Sequence, residues 1–297
     1  MTAAQPLSIA TKGILLLVVS NLCLAGMDAV SKTLIQTYDV TQILWVRYMF
    51  FAGFTAALAW RSRRGKGGIR AAIMAKRPWL NIFRAALLVV EIGLFVVAFG
   101  HMKLVAVHAI AAICPLMITA LSALVLGEKV GPRRWAAVAA GFVGMLLILR
   151  PGFAVFDPWA LLPLAGAALF AVYQILTKIL GRVEQTDTIM LYTGWVGLVL
   201  TSFLGPVYWV DPDPMGWGLL VLAGLMGVFA HLLLIQALSI AEASVLQPFN
   251  YSLLVWASMV GFLIFGELPD IWTAAGAVII VGSGLYVWWR ERVRAAA

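Results

Sequence analysis

Residues 79–100 read WLNIFRAALLVVEIGLFVVAFG. Only two charges, Arg84 and Glu91, interrupt this aliphatic and aromatic stretch. An α-helix of that length crosses the hydrocarbon core of a bilayer, which takes about 20 apolar residues. Nine more stretches share its character, giving expected spans at 13–35, 42–60, 79–100, 104–126, 133–150, 159–180, 187–207, 216–238, 243–266 and 271–290. The chain of 297 residues is 63% apolar and 11% charged, with mean hydropathy +0.99. A soluble domain holds about 45–50% apolar and about 25% charged residues, so too little polar surface exists here to face water. The expected fold class is an all-α integral membrane protein of ten transmembrane helices. That excludes a soluble enzyme, a disordered regulator, a nucleic-acid-binding domain and a disulfide-stapled module.

The formal charge of +8 sits where topology determinants sit rather than in a nucleic-acid patch. Sixteen basic residues fall on one side of the expected bundle, among them Arg61, Arg63, Arg64, Lys66, Arg70, Lys76 and Arg77 in the 61–78 loop. The other side has Lys32, Lys103 and Arg150 near its ends, with Asp39, Asp157, Asp211, Asp213 and Asp270. The asymmetry places both termini in the cytoplasm. Lys12 and the run after it resemble a signal peptide, but the run continues toward Leu34 and reads as a retained first span. Cys23 and Cys114 lie inside apolar runs and imply no disulfide.

The chain repeats itself. Gly127-Glu128-Lys129-Val130 closes span four, and Gly266-Glu267-Leu268-Pro269 closes span nine, 139 residues later. At that offset Ala98 meets Ala237 and His108 meets Gln247; at an offset of 146, Ser31-Lys32-Thr33-Leu34 meets Thr177-Lys178-Ile179-Leu180. Five spans per unit is odd, so the second unit, residues 151–297, enters the membrane inverted with respect to the first, residues 1–150. Such inverted repeats are common in secondary transporters, where two exchanged conformations open one site to either side.

Ten spans in two five-span units, each closing with Gly-Glu and a glycine-rich helix, resemble the EamA-type drug/metabolite transporter superfamily. Gln247-Pro248-Phe249-Asn250-Tyr251 resembles the bacterial YddG-type aromatic amino-acid exporters within it. The resemblance implies alternating-access export of small metabolites, with aromatic and other neutral amino acids first. The usual proline thirteen residues before the Glu is met by Pro115 and Glu128, whereas Leu254 stands there in the second unit. Ala25-Gly26-Met27-Asp28 stands where many members carry Trp-Gly-x-Asn.

Ionisable groups inside lipid usually face a cavity or a partner. Arg47, Arg84 and Lys178 lie within a few turns of their span ends and read as snorkelling anchors. Glu91 lies mid-span; a transport-pathway role and a buried ion pair, with Arg84 for example, both remain open. His231, near the repeat-equivalent of Glu91, reads as a packing histidine. Asp28 and Lys32, four apart, share a helix face and can pair, and Gln174 and Lys178 are their equivalents, with Tyr173 alongside. Asp28, Lys32, Gln174 and Lys178, with His231, form a candidate polar pathway or gate. Pro115 and Pro248 break spans four and nine, and such breaks are tolerated where backbone lines protein or a cavity. His108, Gln247, Asn250, Tyr251 and Trp256 follow or flank those breaks and, with Glu91 and Tyr173, make up the expected substrate-lining set. A zwitterion would use Glu91 for its ammonium and His108, Lys32 or an amide for its carboxylate.

No rhomboid-type Ser and His, paired intramembrane aspartates, clustered metal ligands or P-loop is present, which argues against an intramembrane enzyme, a metal or a cofactor. A drug or lipid-like amphiphile transporter is the alternative on the same fold. The expected partners are a small-molecule substrate and the lipid bilayer, for a monomer or weak homodimer whose Gly141, Gly144, Gly276 and Gly282 permit close helix packing. The topology is checked with an impermeant thiol reagent on intact cells. Cysteines placed at Ser62 and Arg292 should be protected and one at Asp213 should label; labelling at position 62 overturns the orientation.

Overall fold

The computed structural model describes residues 9–62, 68–127, 131–149, 157–241, 246 and 249–295. Among the described residues the structure is helical, with no strand. The helices are α1 (Ile9–Leu34), α2 (Val40–Ser62), α3 (Gly68–Ile73), α4 (Pro78–His101), α5 (Leu104–Ala111), α6 (Cys114–Leu126) and α7 (Pro132–Leu149). A short 3₁₀ turn, Pro158–Ala160, leads into α8 (Leu161–Leu180), followed by α9 (Thr186–Ser202), α10 (Pro214–Ile240), α11 (Ser252–Phe265) and α12 (Ile271–Ala295). Helix thus lies in each expected span. Six segments are long and apolar enough to cross a membrane by length and composition: 11–34, 40–62, 78–101, 104–126, 158–180 and 214–240. Trp135–Leu149, Ser252–Phe265 and Ile271–Ser283 are shorter apolar helices.

The distribution of side chains is inside-out relative to a soluble bundle. Leu124, Leu263, Ile271 and Val278 stand 75%, 71%, 76% and 71% exposed on the outer faces. Asn21, Gln42, Thr55, Arg84 and Gln174 are buried among the helices. An apolar exterior fits hydrocarbon, and buried polar groups there need partners inside the protein. Gln42 shows how one is satisfied: its amide donates to the Val210 carbonyl at 2.7 Å and accepts the Val210 N–H at 2.9 Å. The start of α2 is thereby clamped to the loop before α10.

Helices of the two halves of the chain interleave. α1 packs chiefly on α10, α2 on α9, α4 on α8 and α7 on α12, with α11 against α1 and α6 against α8. α7 and α12 meet through missing side chains. A Cβ on Gly144 would fall 2.8 Å from the Gly276 carbonyl oxygen, and one on Gly276 would fall 2.5 Å from that of Gly144. Two of the glycines expected to permit close packing therefore serve contact within the chain. Gly127 and Gly266, 139 residues apart, end α6 and α11 in the left-handed region, φ 68° and 65°. That conformation costs glycine nothing and turns the chain back to satisfy the last carbonyls.

The α7–α12 contact gives a test in which one substitution type has opposite signs on one helix. Gly276→Ala inserts a methyl group 2.4 Å from Ile148 Cγ1 and should lower stability by about 1–3 kcal/mol. Gly282→Ala, which meets nothing within 4 Å, should be neutral or stabilising by up to about 1 kcal/mol. Thermal unfolding of both purified variants checks this; equal melting temperatures would refute the packing.

Candidate functional site: a polar cavity at the centre of the bundle

The first span carries an amide and a carboxylate in otherwise apolar surroundings, and both turn inward. Asn21 donates to the Phe249 carbonyl at 3.3 Å and to Ser252 Oγ at 3.0 Å, joining α1 to the segment that begins α11. Asp28, two turns further along, lines a central cavity. Arg47 of α2, Glu91 and Phe95 of α4, His108 of α5, Pro115 of α6, Phe170 and Gln174 of α8, His231 of α10 and Asn250 and Tyr251 ahead of α11 complete its chemically distinctive wall. The cavity offers about 90 Å³ to the centre of a water molecule, within about 910 Å³ of atom-free space that includes its open mouth.

Local structure explains how these groups arrive. Span four is two helices: α5 ends at Ala111, Ile113 N–H bonds the Ile110 carbonyl at 3.2 Å, and Pro115 sits in the first turn of α6. Proline lacks the donor that would continue the ladder, so the backbone bends there and His108 and Pro115 face the cavity together. Phe95 reaches the wall because α8 has Gly166 opposite; a Cβ there would lie 2.5 Å from its ring. The His108 ring packs 5.9 Å from Phe99 and 6.3 Å from Phe95, and that of His231 5.9 Å from Phe51 and 6.2 Å from Tyr173.

The cavity has a carboxylate-rich side. His108 Nε2 lies 3.2 Å from Asp28 Oδ2 but without hydrogen-bond alignment. Glu91 is nearly buried, and among the described residues no cation lies within 4 Å of it. Gln174 Oε1, Tyr251 Oη, His231 Nδ1 and Arg47 Nη2 are buried atoms that find no partner among the described residues. Buried polar groups without partners are costly unless a ligand or water completes them. Water or a polar solute could complete these groups, and the wall also carries the aromatic residues Phe95 and Phe170. Among the described residues no group of three or more His, Cys, Asp or Glu is placed to hold a metal ion.

Of the expected substrate-lining set, Glu91, His108, Asn250 and Tyr251 line the cavity. Tyr173 does not: it is fully buried, stacked on Phe170 at 5.6 Å and covered by Arg84 at 4.9 Å. Trp256 also lies off the wall, its indole nitrogen buried without a partner. Gln247 and Pro248 fall outside the described residues, as does Glu128. Of the expected polar pathway, Asp28, Gln174 and His231 line the cavity, while Lys32 and Lys178 do not.

Three expectations about charges are corrected. Asp28 and Lys32 do not pair; Lys32 bonds Glu267 Oε1 at 2.6 Å and the Met102 carbonyl at 2.8 Å. Glu267 Oε2 accepts the Leu104 N–H at 2.8 Å, capping α5. Arg47 and Arg84 do not snorkel, being 2% and 0% exposed. Nor is Arg84 the partner of Glu91: its guanidinium donates to Thr177 Oγ1 at 3.2 Å, the Ile189 carbonyl at 3.0 Å and Thr193 Oγ1. Lys178, likewise turned inward, donates to the Leu238 and Ala241 carbonyls at 3.1 and 2.8 Å. The sequence reading passed over Arg47, Asn21 and Phe95 as site residues. An amide in the middle of the first span was the available signal for Asn21. No signal told Arg47 from Arg84, because depth along a span does not reveal which way a side chain faces.

The bonding of Arg84 predicts a structural role. Arg84→Ala should cost about 3 kcal/mol or more, from lost charge-assisted bonds and the void left under Tyr173. Solute exchange per folded molecule should change little, because Arg84 lies outside the cavity wall. Thermal unfolding and exchange measured on the same preparation check this; a variant of normal stability contradicts it.

The EamA-like transporter family matches the chain over residues 11–150 and 157–289. A riboflavin transporter of Rhizobium johnstonii is 29% identical over 98% of this chain and 95% of its own length. An S-adenosylmethionine uptake transporter of Rickettsia prowazekii is 27% identical over 74% of this chain and 75% of its own. One crystal structure superposes with TM-score 0.63 over 93% of this chain and 94% of that chain at 19% identity, which shows a shared fold. The protein belongs to the EamA-like transporter family.

Proposed function

We propose that this transporter carries a small polar metabolite with a planar ring, of the flavin type, through the central cavity by alternating access. The carrier has ten spans in two inverted five-helix units, residues 1–150 and 151–297, with both termini cytoplasmic. The similarity to a riboflavin transporter across nearly the whole chain carries this reading. The cavity supports it: Phe95 and Phe170 offer faces to a ring, and Asp28, Glu91 and Gln174 accept from hydroxyl or amide donors.

Two features support the inverted repeat. Lys32 bonds the Met102 carbonyl and Lys178 bonds that of Ala241, and the two carbonyls are 139 residues apart, like Gly127 and Gly266. Exchanging the halves also converts the α1–α10 pairing into α8–α4, and α1–α11 into α8–α6. Units related this way reach two states of similar energy by exchanging roles, the requirement for opening one site to each side in turn.

A second reading, a cationic substrate of the S-adenosylmethionine type, is favoured by the cavity's charges. Two carboxylates, Asp28 and Glu91, and one guanidinium, Arg47, line it among the described residues. The amino acids implied by the sequence resemblance are the competing class. Counterflow into liposomes holding the purified protein separates the three, with labelled riboflavin, S-adenosylmethionine and phenylalanine. Riboflavin should exchange saturably and phenylalanine should not; the reverse result overturns the flavin reading. Glu91→Gln keeps shape and removes charge, and should slow exchange about tenfold or more at an unchanged melting temperature. Normal exchange in that variant would reduce Glu91 to a wall residue.

A further inference from the structure

The inward-facing cations divide by their partners. Arg84 has three acceptors, Lys32 a carboxylate and a carbonyl, and Lys178 two carbonyls. Arg47 differs from all of them. It is 2% exposed, its Nη2 is buried without a partner, and among the described residues it donates no hydrogen bond and has no carboxylate within 4 Å. It nevertheless shares a cavity wall with Asp28 and Glu91. A guanidinium held this way in a low-dielectric interior has those two carboxylates as counter-charges but no hydrogen-bond acceptor among the described residues.

The surroundings hold it in position. On α10, Gly227 faces the guanidinium, and a Cβ there would lie 3.0 Å from Nε and 3.2 Å from Nη2. The same Cβ would lie 3.1 Å from Met27 Sδ of α1. One glycine therefore leaves room for the planar guanidinium fork of Arg47, which α2 brings to the cavity wall between α1 and α10. Such a fork matches two acceptors lying side by side in one plane, a geometry that a lysine ammonium cannot reproduce.

We propose that Arg47 is the specificity-determining residue of the cavity, receiving in its guanidinium fork a planar pair of acceptors on the transported molecule. Either a carboxylate or the adjacent nitrogen and carbonyl oxygen of a pyrimidine-type ring supplies that pair. The inference rests on the proposed carrier role of the same cavity. Gly227 is a positioning residue, since it acts by leaving Arg47 its slot.

Binding to the purified full chain tests this with two ligand pairs. One is riboflavin against its analogue with carbon at the acceptor ring nitrogen; the other is S-adenosylmethionine against its decarboxylated form. Wild type should bind the complete member of one pair about ten- to hundredfold more tightly, and which pair discriminates identifies the source of the acceptors. Arg47→Met should bind both members of that pair alike, with a substrate-free melting temperature no lower than wild type. Arg47→Lys keeps the charge but should lose most of the discrimination, and Gly227→Ala should lose it with Arg47 still present. Discrimination surviving in Arg47→Met or Arg47→Lys overturns the proposal while leaving the carrier reading intact. If wild type binds neither pair, the carrier reading for these substrates falls, and this inference with it.

Discussion

Hydrocarbon offers no hydrogen bonds, so every interruption of a membrane helix must find its partners inside the protein. The bundle is organised around meeting that condition. Where α4 ends and α5 begins, Lys32 takes the Met102 carbonyl and Glu267 takes the Leu104 N–H. The 2.6 Å contact between Lys32 and Glu267 then ties α1 to the end of α11. Where α10 ends, Lys178 takes two carbonyls. Where α11 begins, Asn21 reaches across from α1. Each break in the helical ladder thus also locates a contact between helices distant in sequence.

The cavity departs from that condition, and so do several buried groups around it. Behind it, the Arg84 cluster joins α4, α8 and α9 through three hydrogen bonds, although Arg84 Nε and the Tyr173 hydroxyl have no partner among the described residues. On the wall itself, the Tyr251 hydroxyl, the Gln174 amide oxygen, an imidazole nitrogen of His231 and a guanidinium nitrogen of Arg47 are buried without a partner among the described residues. A rigid shell around an incomplete polar surface is what a binding site in a membrane protein requires.

Much of this was legible in the residues. Run length and composition gave the helices, and the 139-residue spacing of Gly127 and Gly266 marked two equivalent helix ends that share a left-handed cap. Pro115 and Glu91, each unusual for its depth, marked the cavity wall. What could not be read was azimuth. Hydropathy is nearly uniform around a helix bathed in lipid, so the periodicity that tells inside from outside in soluble bundles is weak here. Arg47 and Arg84 consequently looked like interfacial anchors, and Tyr173 and Trp256 looked like lining residues. The Asp28–Lys32 pairing failed for a related reason. Spacing of four permits a pair within α1, but Glu267 and His108, brought close only by the fold, take the two charges apart.

The interleaving of the helices bears on how the chain is made. α1, α2, α4 and α7 each find their principal neighbour among α8, α9, α10 and α12. When the ribosome has finished the first half, those helices have been inserted but lack their permanent contacts. Arg84 has no Thr193, Lys32 has no Glu267, and Gly144 has no Gly276. Assembly therefore cannot proceed one half after the other, as it does for chains built of successive independent domains. In chain order, α8 is the first helix to offer one of the early helices, α4, its principal neighbour.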